Sequence, residues 1–234
     1  MRKSYAPRRK TSKTSTKPRR SVVQYATKQY VKRIMPKVEV KQQWQHSNEV
    51  VLSTLAQGTL LTSGPAIGQG VSAGERIGNV VHLNAINFKG ALNNNSGSES
   101  MVRWVIVGFP SSNGNPTLNL FRNASTGTSA AVSAVNGLDA MYYPLNTLEL
   151  TIMFDKVYSL AGSATGNSAA NVKLLNKTVQ LGRRKVEFKS TAQSYGNTSW
   201  MYASIMIAAD SNDDTTTGTG VEVSLLERLY FTDA

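Results

Sequence analysis

From residue 37 to the end of the chain, apolar and polar residues alternate with a period of two, broken by clusters of Gly, Asn, Ser and Thr. Side chains on a strand point to opposite faces in turn, so this pattern predicts strands rather than helices. The runs place strands at 37–45, 50–56, 76–92, 101–109, 147–159, 172–189 with a break, 198–209 and 220–232. In the fifth, Leu148, Leu150, Ile152 and Phe154 share one face, with Glu149, Thr151 and Asp155 on the other, as in a half-buried antiparallel strand. In the third, the apolar set runs Val81, Leu83, Ala85 and then slips to Ile86 and Phe88, which predicts a β-bulge or a strand covered on both faces. The segment VRWVIVGF from Val102 is apolar in both phases. It needs cover from an opposing sheet on one side and from a loop or a neighbouring subunit on the other. Trp44, Trp104 and Trp200 fall in strand patterns and are read as packing residues in preference to base-stacking ones.

About eight strands, long loops at 57–75, 110–146, 160–171 and 210–219, and no helical layer leave two all-β architectures, an eight-stranded antiparallel jelly-roll sandwich and an immunoglobulin-like sandwich. Immunoglobulin-like domains are nearer 100 residues with shorter loops, so the jelly roll fits better. All eighteen glycines lie at Gly58 or beyond, which assigns the turn chemistry to this part of the chain.

The first 36 residues differ in kind. Residues 1–20 are mostly Arg, Lys, Ser, Thr and Pro and lack the apolar side chains that would anchor them to a core, so disorder is expected until they meet a polyanion. In 21–35, Ser21 can cap a helix, Val23, Ala26, Tyr30 and Ile34 form one stripe, and Pro36 ends it. The expected organisation is a basic arm, 1–36, followed by a single β domain, 37–234.

Charge sharpens this division. The 234 residues contain 26 Lys plus Arg and 14 Asp plus Glu, for a formal net charge of +12. Residues 1–41 hold fourteen of the bases and one acid, Glu39; the rest of the chain, with twelve bases and thirteen acids, is nearly neutral. The candidate polyanion-binding residues are Arg2, Lys3, Arg8, Arg9, Lys10, Lys13, Lys17, Arg19, Arg20, Lys28, Lys32 and Arg33. Such side chains neutralise phosphates without reading bases, so binding should be sequence-independent and steeply salt-dependent. RRK at Arg8 and KPRR at Lys17 also have the character of nuclear import signals. In the β domain, Arg183, Arg184 and Lys185 form the only basic run, which with Lys173, Lys177 and Lys189 is a weaker candidate wall for nucleic acid or for a polyanionic receptor.

Little points to catalysis. The absence of cysteine excludes disulfides, thiolate metal sites and a thiol nucleophile, and two histidines leave little for a histidine metal centre. Neither a signal peptide nor an apolar run long enough to span a bilayer is evident. GVSAG at Gly70–Gly74 matches G-x-S-x-G, but a loop precedes Ser72 and a strand follows it, where a nucleophile elbow needs a strand and then a helix. Asp210, Asp213 and Asp214 are a weak calcium candidate, since their spacing is not that of an EF-hand and suits a solvated hairpin. No other cofactor and no enzymatic activity are expected.

Five pieces occur in order behind the basic arm: ERIGNVVHLNAINFKGAL (75–92), VRWVIVG (102–108), LTIMFDKVYSL (150–160), MIAADS (206–211) and ERLYFTD (227–233). In these the chain resembles capsid proteins of small circular single-stranded DNA viruses, which are similar in turn to the coats of satellite tobacco necrosis viruses. The resemblance implies one jelly roll, self-assembly into an icosahedral shell, often of sixty subunits, and an inward arm on single-stranded DNA, with assembly in a host nucleus an added expectation. In relatives the strand after RIG is often basic, whereas Val80 and Val81 are neutral here, which puts more of the genome contact on the arm. An RNA-packaging coat of the satellite type, a non-viral β-sandwich nucleic-acid-binding module and a carbohydrate-binding jelly roll are the alternatives. The second predicts base-stacking aromatics on an exposed sheet face, and by sequence pattern the aromatics do not cluster so.

Overall fold

Eight antiparallel strands make up the computed structural model, which describes residues 39–53, 58–113, 120–122, 137–162, 171–190, 198–210 and 220–234. They are β1 (Lys41–Val51), β2 (Thr59–Gly64), β3 (Val80–Asn94), β4 (Ser100–Pro110), β5 (Thr151–Leu160), β6 (Val172–Glu187), β7 (Trp200–Asp210) and β8 (Val221–Asp233), with a short helix α1 (Gly137–Tyr142) between β4 and β5. Two four-stranded sheets result, one in the order β1-β8-β3-β6 and the other β2-β7-β4-β5. Their inner faces enclose the main core.

That core is built by the predicted alternation. On β8, Val221, Val223, Leu225, Leu229 and Phe231 are buried while Glu222, Ser224, Leu226, Arg228 and Tyr230 between them are not. β3 faces them with Val81, Leu83, Ile86, Phe88 and Leu92, and β4 closes the far side with Val102, Trp104 and Ile106. Trp104 meets Phe88 and Phe154 edge to face, at centroid distances of 5.8 and 5.0 Å, and its indole N–H donates to Ser204 Oγ at 2.9 Å. Burying an aromatic of this size stabilises by about 2–3 kcal/mol, and satisfying the N–H avoids a desolvation cost of ~1–3 kcal/mol.

The slip of phase in β3 is a bulge. Leu83 and Ala85 both pair in sequence with β8, opposite Phe231 and Tyr230, so Asn84 is the extra residue that shifts the core face from odd to even positions. On the other flank, Leu83 pairs with Arg184 and Ala85 with Gln180, leaving 181–183 as the break expected in β6; Gly182 and Arg183 adopt φ of 60° and 61° there.

The second apolar phase of β4 is covered from within the chain. Val105, Val107 and Phe109, with Met201, Ala203, Ile205, Ile207 and Ala209 of β7, form a second core against Leu120, Phe121, Leu145, Leu150 and the α1 residues Ala140 and Met141. Arg103, 5 % exposed, fastens this cover: its guanidinium donates to Asp155 Oδ1 and Oδ2 at 2.9 and 2.7 Å, and to the carbonyls of Ala140 and Tyr143 at 2.8 and 2.7 Å.

Four expectations need correction. Residues 37–45 and 50–56 were expected as separate strands, but β1 runs continuously to Val51, and the interruption is a bulge at Asn48 and Glu49, where Glu49 has φ 47°. The strand that follows is 59–64, in a segment expected to be loop; it is only six residues long, and a register shift between Leu60 and Thr62 hides its alternation. The loop expected at 110–146 contains α1, whose six residues are too short to display helical periodicity. The four apolar residues expected on one face of the fifth strand do not share it: Leu148 lies in a turn before β5 and is 69 % exposed, and a register shift opposite Ile106 and Val107 leaves Leu150 and Ile152 with the second core while Phe154 meets Trp104 in the first.

Candidate nucleic-acid interface

The twelve candidate arm residues, from Arg2 to Arg33, and the helix expected at 21–35 lie outside the described residues. So do Asp213 and Asp214, while Asp210 is the last residue of β7. Among the described residues no group of three or more His, Asp or Glu could hold a metal ion.

Lys41, counted at the sequence level with the basic segment, belongs to the sandwich. Its side chain is 5 % exposed, pairs with Asp233 at 2.9 Å and donates to the Glu75 carbonyl at 2.8 Å. Residues 1–38 alone still carry thirteen bases and no acid, because Glu39 leaves the count together with Lys41.

The basic run of β6 does not form one wall, because strand alternation splits it. Lys185 projects outward and pairs with Glu187 at 2.6 Å, two residues along the same face. Arg184, opposite the inward Leu83, lays its guanidinium over the Trp200 ring at 4.7 Å, and Lys177 sits 4.5 Å over the Phe154 ring. These two cations cap aromatic edges of the core, a role consecutive basic letters do not reveal.

Arg76 of the RIG piece is fully buried. It donates to the carbonyls of Ile67 at 3.3 Å, Gly78 at 2.5 Å and Ser190 at 2.7 Å, donates to Asn79 Oδ1 at 3.1 Å, and stacks 4.2 Å over Phe188. Its fork gathers the 67–79 loop and the segment after β6 by neutral acceptors, a scaffold role. Ser72 lies in a turn of the same loop, where its N–H is bonded to Glu75 Oε2 at 2.9 Å; β3 follows with no helix between. Hydrogen bonds from Ser72 hold the Glu75 carboxyl below its usual range.

The outer face of the β1-β8-β3-β6 sheet corrects the reading of the tryptophans. Trp104 and Trp200 are buried, at 0 and 7 % exposure, but Trp44 is 55 % exposed. Its cross-strand partner is Arg228, whose guanidinium carbon lies 3.8 Å from the centre of the indole ring and whose Nη1 donates to the Tyr230 hydroxyl at 3.4 Å. Continuing across the sheet, Arg228 is opposite Asn87, and Asn87 is opposite Thr178, to which its amide donates at 2.8 Å. The flanking rows are Gln42, Tyr230, Ala85 and Gln180 on one side and His46, Leu226, Lys89 and Asn176 on the other. These three rows contain two fixed cations, two aromatics and no acid. Two aromatics therefore do meet on an exposed sheet face, brought together by the pairing of two strands some 180 residues apart in sequence.

Between the sheets, Gln43, Trp44, Gln45, Ala66, Tyr202, Glu227 and Leu229 line a cavity of about 190 Å³. Glu227 accepts a hydrogen bond from the Tyr202 hydroxyl there, and burial pushes both pKa values upward, that of Tyr202 strongly.

No known protein-family model matches the chain, and no curated protein sequence matches it. The functional reading therefore stands on the fold, the distribution of charge and the sequence pieces already quoted.

Proposed function

We propose that this protein is a capsid subunit that self-assembles into a small shell and packages single-stranded nucleic acid, most simply circular DNA, through its basic N-terminal segment. The observation that carries the reading is the division of charge: thirteen bases and no acid in residues 1–38, joined to a nearly neutral β-sandwich. The strand order supports the jelly roll expected of such a subunit. Rolling one long eight-stranded hairpin pairs the first strand with the last, the second with the seventh, the third with the sixth and the fourth with the fifth. All four pairs are hydrogen-bonded here. If sixty copies assemble, about 780 positive charges face the interior, enough for on the order of a thousand phosphates.

Expression of the full chain, electron microscopy of the product and sequencing of the co-purified nucleic acid test this. Closed particles containing single-stranded DNA are expected. Persistent monomers at high concentration with nucleic acid present would overturn the assembly; particles containing only RNA would turn the reading to a satellite-type coat. A second reading, a non-assembling nucleic-acid-binding sandwich, is favoured by the exposed Trp44 with the half-buried Tyr230 near it, and the same micrographs separate it from the first.

A further inference from the structure

We infer that the outer face of the β1-β8-β3-β6 sheet is a second nucleic-acid site, in which an unpaired base stacks on Trp44 while Arg228 and Lys89 hold the adjoining phosphates. The inference takes its ligand class, single-stranded nucleic acid, from the proposed function. It adds a site that uses bases as well as phosphates, where the basic segment uses phosphates alone.

Three features of the face carry it. First, the indole is exposed yet fixed. Arg228 covers one side of the ring at 3.8 Å and is itself held by Tyr230, so the ring is oriented before any ligand arrives and the entropic cost of ordering it is already met. Second, donors remain for an anion. A guanidinium has five N–H groups, and among the described residues Arg228 commits only Nη1, to the Tyr230 hydroxyl. Lys89, exposed and one row along, stands two positions from Asn87, the Arg228 partner, on the same face of β3. Third, charge selects the ligand. The nearby acids lie beyond these rows, with Glu49 bonded through its N–H to Ser224, Glu222 in the row of Asn93 and Glu187 paired to Lys185, so the rows from Gln42 to His46 present a cationic strip to an approaching backbone. A neutral sugar would use the ring and the amides of Gln42, Asn87 and Gln180 but would gain nothing from Arg228 and Lys89. An aromatic ring flanked by cations, without an acid, is the composition that single-stranded nucleic acid favours.

The test uses the full chain in about 0.5 M salt, where charge interactions are screened within a few ångströms and the contribution of the basic segment is reduced. The probes are a labelled twelve-residue oligothymidylate and the same backbone carrying abasic sites. Thymidylate is expected to quench tryptophan fluorescence, Trp44 being the exposed indole, and to bind more tightly than the abasic strand. Trp44→Ala is expected to weaken thymidylate binding by about 5- to 150-fold, the equivalent of one stacked base, and Trp44→Phe by less than about 5-fold. Lys89→Ala should weaken both strands equally, since it removes a phosphate contact. The Trp44 side chain is exposed, so these variants should fold, which the near-ultraviolet circular dichroism of buried Trp104 and Trp200 checks. Equal affinity for both strands, or Trp44→Ala within twofold of the native chain, would overturn the site while leaving packaging by the basic segment intact. Quenching by neutral oligosaccharides and not by thymidylate would overturn it in favour of a sugar site. Failure of the native chain to bind either strand, even at low salt, would remove the proposed function together with the site.

Discussion

The Tyr202 hydroxyl of β7 donates a hydrogen bond to Glu227 Oε1 on β8, a buried polar link between the two sheets. Glu227 is 3 % exposed, and desolvation raises its carboxyl pKa against the opposing influence of Thr62 and Tyr202. The Thr62 and Tyr202 hydroxyls, as donors, favour the ionised form, but burial outweighs them, and Thr62 Oγ1 and Glu227 Oε2 are left without a well-directed hydrogen bond.

The sign of the pH dependence follows. The folded protein keeps the Glu227 proton to higher pH than the unfolded chain, whose carboxyl titrates near 4.5. In the window from there up to the raised native value the folded state binds more protons, so this group makes stability fall as pH rises, and its effect levels off above that value. Glu227→Gln stays neutral and can still accept from Tyr202. It is expected to melt higher than the native protein at pH 7–8, with the difference vanishing below about pH 4.5; each kcal/mol gained corresponds to about 2–4 °C in a domain of this size. A difference in melting temperature that is constant across pH 4–8 would exclude a titrating Glu227 as its cause.

Arg103 holds the covering layer to the sheet. Arg103→Met should destabilise the protein by about 2–4 kcal/mol in urea unfolding, because two carbonyls lose a charged donor and a partly buried ion pair is broken. The Asp155 side chain is 34 % exposed and keeps access to water, so Asp155→Asn should cost less, about 1 kcal/mol. Hydrogen exchange should show the loss concentrated in residues 137–146, with the β3–β8 ladder still protected.

Gly90 of β3 lies opposite Leu225 of β8 on one side and Leu175 of β6 on the other. A Cβ at this position would overlap the Ser224 carbonyl oxygen, which is backbone within a ladder and cannot rotate away. Gly90→Ala should therefore cost at least ~2 kcal/mol, measured by chemical denaturation. Gly97, where a Cβ would meet nothing within 4 Å, is the matched control, and Gly97→Ala should stay within about 0.5 kcal/mol of native.

Removal of residues 1–20 deletes nine of the thirteen bases before residue 39. The ratio of absorbance at 260 and 280 nm in purified particles should fall to that of protein alone, and the logarithmic slope of oligonucleotide affinity against salt should become markedly shallower. Circular dichroism should keep its β signal, since the first strand among the described residues begins at Lys41. Particles with undiminished nucleic acid would show that these residues do not package it.

The sequence determined the strand content, the phase slip in β3, the double-sided burial of β4 and the division of charge, because each is written in neighbouring residues. Period-two alternation reports a buried face directly, and the slip between Leu83 and Ile86 reports the inserted Asn84. Short or bulged elements escaped it: β2 and α1 have six residues each, too few for a period to repeat, and the β1 bulge at Glu49 reads as a gap between strands. What only the tertiary structure decided is which distant residues share a surface. Trp44 shares the phase of Val38 and Val40, which reads as an apolar face, and its outward position is decided by β1 lying at a sheet edge with Arg228 beside it. Likewise Arg76 and Arg228 each follow a glutamate and precede an aliphatic residue, yet one is enclosed by carbonyls and the other is stacked on an exposed ring. Charge sums along the chain, but a site is made by register and pairing across it, and those come from the packing of the two sheets.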